Sequence, residues 1–186
     1  SVACIAVEIC SAAFYLDDDP GVLVSACLFG DGAAATVWRA VPPAAGPRAA
    51  APLRIHGFNT LHLPAARDKL RFEQRGGRLR NRLAADVPGL AAGAVARLLA
   101  AEPAALPAPA RVIAHPGGRD VLDALEAALP GHRLEASRRV LRTHGNMSSP
   151  SVLFALEEAL RAAPPAPGED WWLVAFGAGF SAHSCR

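Results

Sequence analysis

The sequence predicts an α/β fold built around a buried sheet, and three observations carry that prediction. Short apolar runs such as 2–9, 111–114 and 171–176 alternate along the chain with longer stretches whose apolar residues repeat at helical spacing. The 186 residues, 52% of them hydrophobic, suffice for one domain with a sizeable core. Pro- and Ala-rich connections, 41–52 and 102–110, separate the segments as surface loops do.

Residues 2–9 (VACIAVEI) are expected as a buried strand with its polar exit at Glu8. Asp17-Asp18-Asp19-Pro20-Gly21 is a turn with an available helix cap, and it lacks the ligand spacing of a calcium loop. It leads into a short helix, Val22–Leu28, that ends at Phe29-Gly30 before a strand at Ala33–Ala40. Leu53–His62 is expected as a strand. In Pro64–Arg82, Arg67, Lys69, Arg71, Arg75, Arg78, Arg80 and Arg82 outnumber Asp68 and Glu73. Arg alternating with Leu and Phe reads there as the solvated face of a hairpin or helix rather than as a phosphate-facing patch.

Asp86-Val87-Pro88 starts a helix that runs to about Ala101, with Leu90, Val95, Leu98 and Leu99 as its apolar stripe. A short strand, Arg111–Ala114, ends at His115-Pro116-Gly117-Gly118, followed by a helix over 119–129 and a short helical run at Ser137–Arg142. Ser149 is the expected N-cap of the next helix and Pro150 its first residue, with Leu153, Leu156 and Leu160 in register to near Ala163. Trp171–Phe176 is an apolar strand, broken by Gly177-Ala178-Gly179 before a last short strand.

Composition excludes several function classes. A net charge of +2 is too mild for a nucleic-acid partner, and the near-absence of Lys among the basic residues fits a GC-rich coding bias. No apolar run is long enough for a membrane span. Cys4, Cys10, Cys27 and Cys185 show no C-x-x-C spacing, so a reducing, cytoplasmic setting is expected. The chain opens inside an apolar run with no Met, which is expected of a piece of a longer protein.

Two glycine patterns are decoys. Gly30-Asp31-Gly32 has a helix before it and a strand after it, the reverse of a dinucleotide fingerprint. Gly177-Ala178-Gly179 follows a strand but has no helix after it. His115 is more informative. It stands at the carboxyl end of a strand, where open α/β sheets bind ligands, and the turn after it admits close approach. No second His, Cys or carboxylate stands at metal-ligand spacing from it. Asn146 stands just outside a helix start, where unpaired N–H groups and the helix dipole favour negative charge. It reads either as a turn former or as a donor to a reacting oxyanion, and together with His115 it suits one carbonyl oxygen that becomes an enolate.

The segments LFGDGAAA (28–35), HPGG (115–118), GNMSS (145–149) and FGAG (176–179) occur in this order at these spacings, with Asp86-Val87-Pro88 and Ser137-Arg138 in the same frame. Together they resemble the C-terminal half of type III polyketide synthases, the chalcone and stilbene synthase family. The resemblance covers residues 1–186 and implies a thiolase-like fold, the C-terminal αβαβα half with a mixed five-stranded sheet, the N-terminal half being absent.

By that resemblance His115 and Asn146 match the family's catalytic His and Asn, and Phe29 matches the Phe that guards the active-site entrance. Cys10 takes a cavity-lining position, and Ser148, Gly117, Gly118, Gly177 and Gly179 belong to the substrate-binding surface. The implied reaction loads a starter acyl group from coenzyme A onto a Cys and extends it with malonyl-CoA. It uses coenzyme A thioesters as substrates with no other cofactor and implies a homodimer when complete. The family's nucleophilic Cys belongs to the absent half; Cys4, Cys27 and Cys185 are read as packing or incidental residues. Ala178 stands where plant members carry Pro. Two further readings stay open: a non-catalytic half that serves dimerisation or acyl-CoA binding, and a condensing enzyme of the ketoacyl synthase III type.

Overall fold

The structure, a computed structural model, describes residues 1–40 and 53–186. The 41–52 connection lies outside the described residues. In chain order the elements are β1 (Val2–Glu8), α1 (Pro20–Leu28), β2 (Gly32–Trp38), β3 (Phe58–His62), β4 (Leu70–Arg75), β5 (Arg78–Leu83) and α2 (Val87–Ala100). They continue with β6 (Arg111–Ala114), α3 (Arg119–Ala128), α4 (Glu135–His144), α5 (Ser151–Ala162), β7 (Trp171–Gly177) and β8 (Ser181–Cys185). A mixed sheet in the order β3-β8-β7-β6 forms the centre, with β6 and β7 parallel and the other pairs antiparallel. It carries four strands among the described residues, one fewer than the resemblance implies.

Both faces of β6 and β7 are covered, because alternate side chains point to opposite layers. Val112, Ala114, Trp172 and Val174 face Ala91, Val95 and Leu98 of α2 and Leu122 and Leu125 of α3. Ile113 and Trp171 face Val140 of α4, Ala155, Leu156 and Ala159 of α5, and Met147. Each large side chain fully buried in these layers stabilises the fold by about 1.5–3 kcal/mol before entropy is counted. The chain leaves β6, passes through α3, α4 and α5, and returns at β7. The carboxyl ends of the two parallel strands therefore lie side by side.

Local chemistry explains the remaining elements. The Asp19 carboxylate accepts hydrogen bonds from Gly21 N and Val22 N at the start of α1 and pairs with Arg80, which fixes α1 to β5. Gly76 and Gly77, both at positive φ, make the two-residue turn of the β4–β5 hairpin. Along and beside this hairpin Asp68, Glu73 and Asp86 pair with Arg71, Arg82 and Lys69 on the solvated surface that its charge pattern suggests.

Four local expectations are corrected. β1 is not buried: among the described residues it pairs only with β2, neither strand joins the four-stranded sheet, and Val2, Ile5, Val7 and Ile9 are exposed. Regular pairing in the 53–62 segment is confined to β3. Helix α4 is longer than its apolar spacing suggested, beginning at Glu135. Ser149 does not cap α5. Pro150 holds the cap position, and the Ser149 hydroxyl donates instead to Glu8 Oε1 at 2.8 Å. The residue before it, Ser148, has φ of 57°, which turns the chain so that the Ser151 hydroxyl accepts from Met147 N at 2.8 Å.

The exposed apolar residues of β1, with Val37 and Phe58, lead to a solution expectation. The 186-residue chain alone should self-associate by light scattering, and Ile5→Lys with Val7→Lys should reduce that association. A monodisperse monomer of the unsubstituted chain would contradict it.

Candidate active site

His115 follows the last residue of β6 and is held by the sheet it leaves. Its N–H donates to Val174 O at 2.8 Å, and Gly117 N donates back to His115 O at 2.9 Å, closing a tight turn around Pro116. The imidazole is 9% exposed and meets the edge of Phe176 with ring centroids 5.4 Å apart. Burial alone lowers its pKa from 6.5 to about 4, so the ring is neutral at neutral pH. A Cβ on Gly117 would lie 3.2 Å from Phe176 Cε2 and 3.5 Å from His115 Cδ2, so glycine there lets both rings close on the turn.

Asn146 is brought to the same place by the end of α4. The helix stops at Gly145, whose φ is 73° and whose Cβ, if present, would press on Leu28 O at 2.8 Å. Its absence lets the main chains of Phe29 and Asn146 pair as an isolated parallel bridge. Asn146 N donates to Leu28 O at 2.8 Å, and Gly30 N donates to Asn146 O at 3.0 Å. The side chain, 6% exposed, is clamped as well: Oδ1 accepts from Ser148 N at 2.8 Å and Nδ2 donates to Gly117 O at 3.1 Å. These partners fix which way the amide faces, since a flipped amide would set donor against donor and acceptor against acceptor. One Nδ2 hydrogen is engaged by Gly117, which leaves the other for a further acceptor.

His115, Gly117, Asn146, Phe29, Ser148 and Cys10 thus form one connected group. Phe29 enters through the bridge to Asn146. Cys10 enters through its Sγ, 3.8 Å from Ser148 Oγ. Gly118 precedes α3 directly after this turn. Gly177 and Gly179 are less direct. Gly177 ends β7 beside Phe176, Gly179 makes the β7–β8 turn at φ of 128°, and among the described residues neither bonds to His115 or Asn146. Phe176 itself was read from the sequence as a strand residue that opens the FGAG segment, and not as a site residue. Its signal was its place as the last side chain before a glycine turn on the strand that pairs with β6.

Neither Cys10 nor Cys185 offers an activated thiolate. Burial pushes the Cys10 thiol above its ordinary pKa, the Ser148 hydrogen bond opposes this, and Glu8 and Asp31 add to it. Burial also raises the Cys185 thiol. Among the described residues no group of three or more His, Cys, Asp or Glu is arranged to hold a metal ion, and no helix is long and apolar enough to cross a membrane. The site thus brings a buried imidazole that is neutral at neutral pH beside a buried amide.

Comparison with known proteins places this architecture. The chain superposes with a TM-score of 0.83 on a polyketide synthase from the brown alga Ectocarpus siliculosus, at 24% identity, covering 98% of this chain and 51% of that one. It superposes with a TM-score of 0.81 on 1,3,6,8-tetrahydroxynaphthalene synthase from Streptomyces coelicolor, a bacterial type III polyketide synthase, at 27% identity, covering 98% and 52%. The fold is accordingly that of the C-terminal half of a thiolase-like protein. The model of the chalcone and stilbene synthase C-terminal domain matches residues 63–184, and the chain belongs to that family. A 3,5-dihydroxyphenylacetyl-CoA synthase from Streptomyces toyocaensis is 33% identical over 180 residues, which cover 92% of this chain and 46% of that protein. The chain spans about half the length of these relatives.

The buried neutral imidazole sets a pH dependence of stability. Its folded pKa of about 4 lies below the unfolded value of 6.5, so as pH falls through 6.5 the unfolded chain takes up a proton that the folded chain refuses. Between those limits His115 should cost up to about 3 kcal/mol of stability. Denaturant unfolding at pH 7 and pH 4 measures it, and His115→Gln should reduce the acid loss relative to the parent.

Proposed function

We propose that residues 1–186 are the C-terminal half of a type III polyketide synthase that condenses malonyl-CoA decarboxylatively onto a starter acyl thioester. The observation that carries this reading is the fixed Asn146 amide, which keeps a donor hydrogen available one hydrogen bond away from the turn that bears neutral His115. Membership of the chalcone and stilbene synthase family and the relative named for a coenzyme A thioester support it.

In the first step the bond between the malonyl carboxylate carbon and the α-carbon breaks and CO₂ leaves. The electron pair passes into the thioester carbonyl as an enolate, whose oxygen accepts hydrogen bonds from His115 and Asn146. In the second step the enolate carbon attacks the acyl thioester carbonyl on a Cys supplied by the other half of the protein. The tetrahedral intermediate collapses, the Cys leaves as thiolate, and a β-ketoacyl-CoA two carbons longer results. A neutral imidazole serves the first step better than an imidazolium, because a cation beside the malonyl carboxylate would hold the charge that must leave.

Phe29, main-chain paired to Asn146, screens that step from water. Cys10 and Ser148, whose side chains touch, line the acyl cavity with Gly117, Gly118, Gly177 and Gly179. The substrates are acyl-CoA and malonyl-CoA, without a further cofactor, and the complete protein works as a cytoplasmic homodimer. The apolar surface of β1 is the seat of its N-terminal half.

CO₂ release from malonyl-CoA, measured with the chain joined to a Cys-bearing N-terminal half, tests the proposal. Asn146→Ala is expected to slow it by roughly 10²–10³-fold, the usual loss on removing one oxyanion donor. Undiminished CO₂ release in both His115→Ala and Asn146→Ala would overturn the mechanism.

A further inference from the structure

Among the described residues β6 is the edge strand of the four-stranded sheet, and no strand there pairs with the peptide groups on its outer side. At Ala114, the residue before His115, both outward-facing groups are nonetheless satisfied, and by one side chain. Ala114 N donates to Ser137 Oγ at 3.2 Å, and the same hydroxyl donates to Ala114 O at 2.7 Å. A hydroxyl can accept and donate at once, so one serine does here what a neighbouring strand's peptide does elsewhere in the sheet.

Ser137 and Ala114 are both fully buried, which excludes bulk water as the alternative partner. The hydroxyl is also not engaged with its own helix in the way serines inside helices often are. Its position is set by α4 as a whole. The next residue, Arg138, pairs with Asp123 at 2.6 Å and with Glu126 at 2.9 Å, which ties α4 to α3.

We propose that Ser137 is the positioning residue for His115: its hydroxyl stands in for the missing strand on the open edge of β6 and holds the peptide that carries the imidazole. From the inner side His115 N is held by Val174 O of β7. The Cα of His115 is thus gripped from both sides of the strand, and the ring is directed against Phe176. Without the hydroxyl two buried peptide groups lose their partners. The strand end must then shift or admit water, and either change moves the ring and lessens its burial.

This inference rests on the proposed role of His115, and its test separates the two. In the chain joined to a Cys-bearing half, malonyl-CoA decarboxylation is measured as kcat and KM, together with titration of the His115 ring by NMR of labelled histidine. The ring signal is assigned by its loss in His115→Gln. Ser137→Ala and Ser137→Cys are expected to lower kcat at least tenfold with KM within threefold, and to move the His115 midpoint upward by more than one pH unit. Ser137→Thr, which keeps the hydroxyl, is expected to restore most of both. If either the Ala or the Cys variant folds and keeps the parent kcat and midpoint, the proposal is overturned. Parent-like decarboxylation in His115→Ala strikes the reading of the site itself, whereas an inactive His115→Ala beside a fully active Ser137→Ala strikes only the role of Ser137.

Discussion

The site depends on the clamped amide of Asn146. Its two side-chain hydrogen bonds, to Ser148 N and Gly117 O, and its two main-chain bonds, to Leu28 O and Gly30 N, join three segments far apart in sequence. One is the turn that carries Asn146, the second follows β6 and carries His115, and the third leads into β2 and carries Phe29. Small residues make the junction possible. A side chain at Gly145 would meet Leu28 O, and one at Gly30 would meet His144 O at 2.3 Å. The glycines around the motif therefore serve close backbone approach rather than flexibility.

The sheet supplies the frame for that junction. Parallel β6 and β7 deliver His115 and Phe176 side by side at their carboxyl ends, where His115 is buried. The same burial that keeps His115 neutral at neutral pH also makes it a liability in acid, where the unfolded chain takes up a proton that the folded ring refuses. Cys10 and Glu8 reach the Ser148-Ser149 turn from a two-stranded sheet whose apolar residues are exposed.

The sequence made the candidate residues legible because each sits beside a local signal: His115 between a short apolar strand and Pro-Gly-Gly, Asn146 just ahead of a helix start. Element order was legible for the same reason, since helical spacing and glycine turns are local. What escaped depends on tertiary partners. Apolar composition could not show that β1 lacks a covering layer. A cap motif read from Ser149-Pro150 could not know that Glu8 takes the Ser149 hydroxyl or that Ser148 turns left-handed. Ser137 and Ser151 look like ordinary helix residues until the strand edge and the turn they satisfy are in view. Phe176 was visible as a strand residue, but its contact with His115 follows only from the pairing of β6 with β7.

The central claim is that His115 and Asn146 act on one oxygen as a unit. A double-mutant cycle tests it most directly, with His115→Gln, Asn146→Ala and their combination compared for malonyl-CoA decarboxylation in the complete protein. Groups that stabilise the same transition state jointly show strongly non-additive losses. The combined variant is therefore predicted to be about as slow as the slower single variant, and losses that simply multiply would contradict the account.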